Sequence, residues 1–211
     1  MAYRYIAIEG NIGAGKTTLA HLLSKHYDAR LVLEEFADNN FLPKFYAEPE
    51  RYAFPLELSF LADRYKQLKQ VLTNQQDLFN EKIITDYLFI KSKLFARVNL
   101  KDDEYDLFQK LFDIIDPHLA NPDLLIYLHA PVGRLQRNIH KRGRDYEQSI
   151  PDRYLEQVQQ VYQQYLKQAV CKTLIIDTSK IDFLNNADHL QQLTGFLEKD
   201  YDFQTHYLAI G

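Results

Sequence analysis

Residues Gly10-Asn11-Ile12-Gly13-Ala14-Gly15-Lys16-Thr17 spell G-x-x-x-x-G-K-T between the apolar run Tyr5-Ile6-Ala7-Ile8 and the helix-like stretch Thr18-Leu19-Ala20-His21-Leu22-Leu23. A strand, a glycine-rich turn and a helix in that order constrain the chain to an α/β fold built around a phosphate loop. Glycines at 10, 13 and 15 admit backbone conformations that a Cβ would obstruct. Successive N–H groups can then point into one concavity, with the positive end of the next helix behind them. Lys16 is expected to reach the outer phosphates of a nucleotide and the Thr17 hydroxyl to ligate Mg²⁺.

Short apolar strand candidates recur along the chain: Tyr5 to Ile8, Leu31 to Leu33, Ile83 to Thr85, Leu124 to Leu128, and Leu174 to Ile176. They alternate with longer helical patterns, which reads as a parallel sheet covered by helices. The expected architecture is a P-loop NTPase-type three-layer α/β/α fold with a five-stranded parallel sheet. Helical spacing covers Tyr52 to Gln70, Glu104 to about Leu119, Pro151 through Tyr165, and Phe183 to Leu197, while Tyr201 to Gly211 is assigned no element. At 211 residues the chain suits one domain, 1–211.

With 25 Lys plus Arg against 29 Asp plus Glu, the net charge of −4 supplies no general attraction for DNA or RNA. Phosphate affinity must therefore be local. One cysteine, Cys171, excludes an intramolecular disulfide. No basic-then-apolar leader precedes the first strand, and no apolar run approaches the roughly 18 residues of a membrane span. A cytoplasmic location without membrane partners is expected. Most of the 15 Tyr and 13 Phe are expected to fill cores.

A phosphate loop alone does not separate kinases from GTPases or ATPases. The guanine-reading Asn-Lys-x-Asp segment of a GTPase is absent from the sequence. Arg142-Gly143-Arg144 lies between the helix-like run Val132 to Lys141, which carries Arg134 and Arg137, and the helix at Pro151. It reads as a lid over about 142–150, whose arginines can spread planar donors over a transferring phosphoryl group. Glu34 and Glu35 end the second strand candidate and Asp86 ends the third, at the sheet edge where parallel sheets open their ligand crevice. A carboxylate at the second strand can accept a proton from a substrate hydroxyl, and Asp86 can hold Mg²⁺ or cap a following helix.

The string Glu9-Gly10-Asn11-Ile12-Gly13-Ala14-Gly15-Lys16-Thr17-Thr18 is joined by Lys44-Phe45-Tyr46-Ala47-Glu48-Pro49-Glu50-Arg51-Tyr52-Ala53-Phe54 and by Arg142-Gly143-Arg144 with Glu147-Gln148 and Ile150-Pro151. Together, from about residue 3 to about residue 168, these segments resemble the deoxyribonucleoside kinase family, most strongly its bacterial deoxyadenosine and deoxyguanosine kinases. The resemblance implies ATP as phosphate donor, Mg²⁺, a deoxyribonucleoside acceptor and a homodimer formed through the long helices after the second and third strands. It implies Glu34 as general base, with Glu35 standing where a proline is usual. Asp86 matches the acid of the family's acid-Arg-Ser motif, whose arginine is replaced here by Tyr87. Tyr46 and Glu147 match a pair that holds the sugar 3′-hydroxyl, and Arg137, Arg142 and Arg144 match lid positions.

For the base, Glu57 falls where many relatives have glutamine, and Arg64, seven residues on, shares its helix face. Phe54, Tyr87, Phe95 and Phe112 are candidates to sandwich the ring. An ionised Glu57 offers only acceptors and suits guanine's adjacent N–H donors, whereas Tyr87 and Glu57 together resemble adenine-preferring bacterial members, with Arg64 supplying a donor. The expectation is a deoxyadenosine kinase. Its alternatives are a deoxyguanosine- or deoxycytidine-preferring kinase, a thymidylate-kinase-like monophosphate kinase, and a catalytically silent nucleotide-binding protein.

Overall fold

The structure is a computed structural model, and it describes residues 2–35, 39–72, 82–168 and 171–211. Its strands are β1 (Tyr5–Gly10), β2 (Arg30–Val32), β3 (Ile83–Thr85), β4 (Leu124–His129), β5 (Thr173–Asp177) and β6 (Thr205–Leu208). They form one sheet in the order β2-β3-β1-β4-β5-β6, and every neighbouring pair is parallel. The expected five-stranded sheet is therefore six-stranded. The addition comes from the tail left unassigned, where Thr205 pairs with Thr173. Four half-covered residues on a sheet edge carry too short a pattern to separate from a loop.

Both faces of the central strands are buried, so β1 and β4 are apolar almost throughout rather than alternating. The two-residue period of a strand sorts these side chains into two cores. Ile6, Ile8, Ile126 and Leu128 pack with Leu19 and Leu23 of α1 (Lys16–Tyr27), Leu135 of α6 (Val132–Arg142) and Leu193 of α8 (Ala187–Leu197). Tyr5, Ala7, Leu125 and Tyr127 face the other way. Their partners are Leu61 and Leu68 of α3 (Pro49–Leu72), Phe95 of α4 (Lys91–Asn99), Phe108 of α5 (Asp102–Ile115) and Val158 of α7 (Asp152–Leu166). Phe45 of α2 (Leu42–Ala47) joins Leu56 and Phe60 in a third cluster against α3.

Three helix ends differ from expectation. The helix expected to begin at Phe183 begins at Ala187, because the Asp182 carboxylate accepts the Leu184 and Asn185 N–H groups in a turn and Asn186 caps the helix through Asp188 N–H. The helix expected to reach Leu119 ends at Ile115 and tightens into a 3₁₀ turn over Asp116–His118, with Pro117 inside it. Pro151 caps α7 from outside rather than starting it. No helix of the described residues is long and apolar enough to cross a membrane.

Candidate active site

The phosphate loop runs from the end of β1 into α1, and its shape depends on two glycines. Gly13 has φ +80°, and a Cβ there would stand 2.7 Å from the Leu135 carbonyl oxygen; Gly15 opens the helix at φ +93°. A side chain at either would strain the loop or push α6 away. Asn11 anchors the loop rather than facing a ligand, since its Nδ2 donates to the Leu155 carbonyl at 2.8 Å and its Oδ1 accepts the Ile12 N–H at 2.8 Å. Ala14 is buried in the core. Lys16 Nζ donates to the carbonyls of Gly10 and Asn11, both at 2.9 Å, which holds the ammonium across the loop. Burial, aided by the charge of Lys91, pushes the Lys16 ammonium down to about 8.

Parallel pairing of β2 with β3 and of β3 with β1 brings the carboxyl ends of these strands together beside the loop. Asp86 joins the pieces. Its Oδ2 accepts the Thr17 hydroxyl at 2.5 Å and its Oδ1 accepts the Glu34 N–H at 2.7 Å, so it does not cap a helix beginning at Tyr87. A hydroxyl and a carboxylate beside a phosphate loop are the hard oxygen donors Mg²⁺ prefers. No cluster of three His, Cys, Asp or Glu side chains able to hold a metal exists among the described residues. The fit is to an ion that keeps waters and shares substrate phosphates, the usual state of Mg²⁺.

Glu34 turns into the cleft while Glu35 is exposed and accepts from Gln67 Nε2 at 3.2 Å. The Glu34 side chain is 9% exposed and is clamped by two cations. Arg64 donates through Nε at 2.9 Å and Nη2 at 2.5 Å to Oε1, and Lys91 Nζ pairs with Oε2. Burial alone raises a carboxyl, but here the charges of Lys91 and Arg64 outweigh it and hold Glu34 far below the usual carboxylate range. Arg64, expected to pair with Glu57 or to meet the base, is thus committed to Glu34 and, through Nη1, to Ser92 at 2.8 Å.

Glu57 is buried beside Asn99, whose Nδ2 donates to Oε1 at 2.6 Å. Lys16, Thr17, Glu34, Tyr46, Glu57, Arg64, Asp86, Phe95, Arg142, Arg144 and Glu147 all line one cleft, together with Ile12, Phe45, Phe60, Lys91, Asn99 and Tyr154. At the lid, α6 ends on Gly143 in a left-handed conformation, and Arg142 pairs with Glu147, as does Arg144 at 3.2 Å. Tyr46 stacks on Tyr146 with centroids 5.9 Å apart.

Outside the phosphate loop, five expected contacts lie off the cleft lining. Phe54 is packed against the core of the α3 side, and Phe112 stacks on Phe89 within it. Arg137 is exposed on α6, and Thr18 lies behind Thr17 in the first turn of α1. Tyr87 is fully buried, and its hydroxyl donates to Gln67 Oε1 while Gln67 Nε2 donates to the Leu33 carbonyl at 2.8 Å. Tyr87 therefore braces the segment that follows β2 through Gln67, and Lys91 is the side chain that meets Glu34.

Lys91, Asn99, Tyr154 and Glu9 were not legible as site residues. Glu9, 1% exposed at the end of β1, accepts Leu88 N–H at 2.7 Å and the Tyr162 hydroxyl at 2.8 Å, tying the loop's root to the segment after β3 and to α7. Lys91 and Asn99 sit on α4, which has no side-chain cap and follows β3 within a few residues, so no signal marked its start.

Two carboxylates at a phosphate loop, Asp86 beside the Thr17 hydroxyl and Glu34 between Arg64 and Lys91, with a third, Glu57, in the same cleft, can accept a hydroxyl-bearing substrate beside a nucleotide triphosphate. Comparison with known proteins agrees. The family model for deoxynucleoside kinases matches residues 6–199. A deoxyguanosine kinase of Bacillus subtilis is 34% identical over 203 residues, covering 92% of this chain and 96% of that protein. A deoxyadenosine/deoxycytidine kinase of the same organism is 28% identical over 192 residues, covering 89% of this chain and 88% of its own. The solved deoxyadenosine kinase of M. mycoides with products dCMP and a flexible dCDP superimposes with TM-score 0.80 at 26% identity, covering 92% of this chain and 98% of that one.

Proposed function

The chain belongs to the deoxynucleoside kinase family, and from that premise we propose that it transfers the γ-phosphoryl group of ATP to the 5′-hydroxyl of a purine deoxyribonucleoside, deoxyadenosine by preference. The observation that carries the reading is Glu34, held ionised beside the phosphate loop in the cleft that also contains Glu57. The ionised Oε atoms accept the 5′-hydroxyl proton and aim the oxygen at the terminal phosphorus. In a loose transition state the hydroxyl loses its proton late, so position matters more than basicity. Lys16 and the loop amides hold the phosphates, while Thr17 and Asp86 hold Mg²⁺. Mg²⁺, when bound, neutralises charge on the phosphate oxygens. Arg142 and Arg144 approach the transferred group from the lid, and Tyr46 with Glu147 receives the sugar 3′-hydroxyl.

The base preference rests on Glu57 in place of a family glutamine and on likeness to deoxyadenosine kinases. Preference for deoxyguanosine is the second reading, favoured by the likeness to the Bacillus subtilis deoxyguanosine kinase. A homodimer is part of the proposal, and the exposed Leu107 and Ile114 on α5 suit a helix-to-helix contact between two copies. The test is ADP release with MgATP over all four deoxyribonucleosides. Deoxyadenosine giving the highest kcat/KM supports the proposal, and deoxyguanosine leading supports the second reading. Turnover with none of the four removes both.

A further inference from the structure

Glu57 is 1% exposed, and only one of its two carboxyl oxygens is satisfied. Oε1 accepts from Asn99, while Oε2 is buried without a hydrogen-bond partner on a residue that lines the cleft. A buried polar oxygen left alone is costly, so its partner must come from what enters the cleft.

The charged and titratable groups around it explain its state. Arg64 on the same helix and Lys91 on α4 are both engaged by Glu34, and Glu34 adds negative charge. Tyr46 on α2 and Tyr154 on α7 present hydroxyls rather than cations. On the lid, Arg142 and Arg144 both pair with Glu147. Burial consequently pushes the Glu57 carboxyl up to about 7, with the Arg64 charge, the Asn99 hydrogen bond and Lys91 pulling only partly the other way.

We propose that Glu57 selects the purine by its protonation state, reading adenine as a neutral acid whose Oε2–H donates to a ring nitrogen while Oε1 accepts from the neighbouring amino group. The proposal rests on the deoxyribonucleoside kinase reading of this cleft. A neutral carboxylic acid offers one donor beside one acceptor, as an amide does, and matches adenine's amino group next to a ring nitrogen, and guanine's carbonyl next to its ring N–H as well. The ionised form offers acceptors only and matches guanine's adjacent N–H pair. Adenine therefore needs the acid form while guanine is read by either, so the preference for deoxyadenosine falls as pH rises.

The experiment measures kcat/KM for both nucleosides from about pH 6 to about pH 8 in the wild type and in Glu57→Gln. Taking the ratio cancels every ionisation common to the two reactions. The adenine-to-guanine ratio is expected to fall as pH rises through the Glu57 titration, by up to about tenfold per pH unit on its alkaline side, and to show no pH slope in Glu57→Gln, whose amide cannot ionise. A flat ratio in the wild type, or the same slope in the variant, overturns the proposal. Calorimetry of deoxyadenosine binding in two buffers of different ionisation enthalpy gives a second readout that needs neither turnover nor a variant. Proton uptake near pH 8 that fades near pH 6 supports a neutral Glu57 in the complex, and its absence overturns it. Failure to phosphorylate any deoxyribonucleoside at any pH sinks the kinase reading instead, while the proton uptake still reports on Glu57.

Discussion

Asp86 holds the backbone of Glu34 against the phosphate loop: one carboxylate oxygen accepts the Glu34 N–H at 2.7 Å and the other accepts the Thr17 hydroxyl at 2.5 Å. The same side chain thus positions Glu34, the proposed base, and offers an oxygen to the proposed Mg²⁺ site. Asp86→Asn replaces one acceptor with a donor that faces a donor. The variant is expected to lose about 10²-fold in kcat, the scale of a small misplacement of reacting groups, and to need more Mg²⁺ for half-maximal rate. Initial rates over a Mg²⁺ titration measure both, and an unchanged Mg²⁺ requirement removes Asp86 from the metal site.

Glu34→Gln keeps an acceptor for the 5′-hydroxyl but removes the charge that receives its proton. Nucleoside binding should persist while kcat falls by roughly 10²-fold or more. Arg64 and Lys91 also lose the carboxylate between them, so the melting temperature should drop, because breaking a buried ion pair leaves uncompensated charge. Turnover equal to wild type in a folded Glu34→Gln protein assigns the proton to another group.

Lys91 and Arg64 hold Glu34 ionised from two sides. Burial raises the Glu34 carboxyl, and the charges of Lys91 on Oε2 and Arg64 on Oε1 oppose it. In Lys91→Met the ammonium on Oε2 is gone, Arg64 remains with the more distant Lys16, and the carboxyl rises. Activity needs Glu34 ionised, so raising its pKa removes activity from the acid side. The acid limb of log kcat/KM against pH is expected to move to higher pH in the variant. An acid limb that stays in place contradicts the clamp.

The parts of this site that could be read in advance are those that local spacing dictates. The phosphate loop is one contiguous string, and Glu34 and Asp86 end short apolar runs that parallel pairing must align at one sheet edge. The parts that could not be read depend on how distant helices meet. Arg64 shares a helix face with Glu57 in sequence terms, but the fold turns its guanidinium onto Glu34. Lys91 looks like an ordinary lysine until α4 docks on α3, and Tyr87 looks like a ligand contact until Gln67 claims its hydroxyl. The raised carboxyl of Glu57 could not be read in advance for the same reason. An ordinary ionised carboxylate is the default for an isolated glutamate, and only its burial overturns that.

Glu57 also links stability to pH. Its carboxyl is raised to about 7 in the folded protein, above its unfolded value, so its contribution is fully present below the unfolded pKa and is lost as pH rises through about 7. Glu57→Gln has no such loss. Relative to wild type, the variant is expected to gain on the order of 3 kcal/mol between about pH 4 and pH 8, from a shift of roughly two to three pKa units. Urea melts at three pH values measure it, and a constant difference between the two proteins across that range contradicts a raised Glu57.

The most direct measurement compares initial rates of MgATP-dependent phosphoryl transfer to deoxyadenosine and to deoxyadenosine 5′-monophosphate, with the products identified by mass. A Glu34 carboxylate set for a free 5′-hydroxyl calls for deoxyadenosine to be converted to its 5′-monophosphate and for the monophosphate to be a poor acceptor. Faster transfer to the monophosphate, or ATP consumption without a phosphorylated nucleoside, contradicts it.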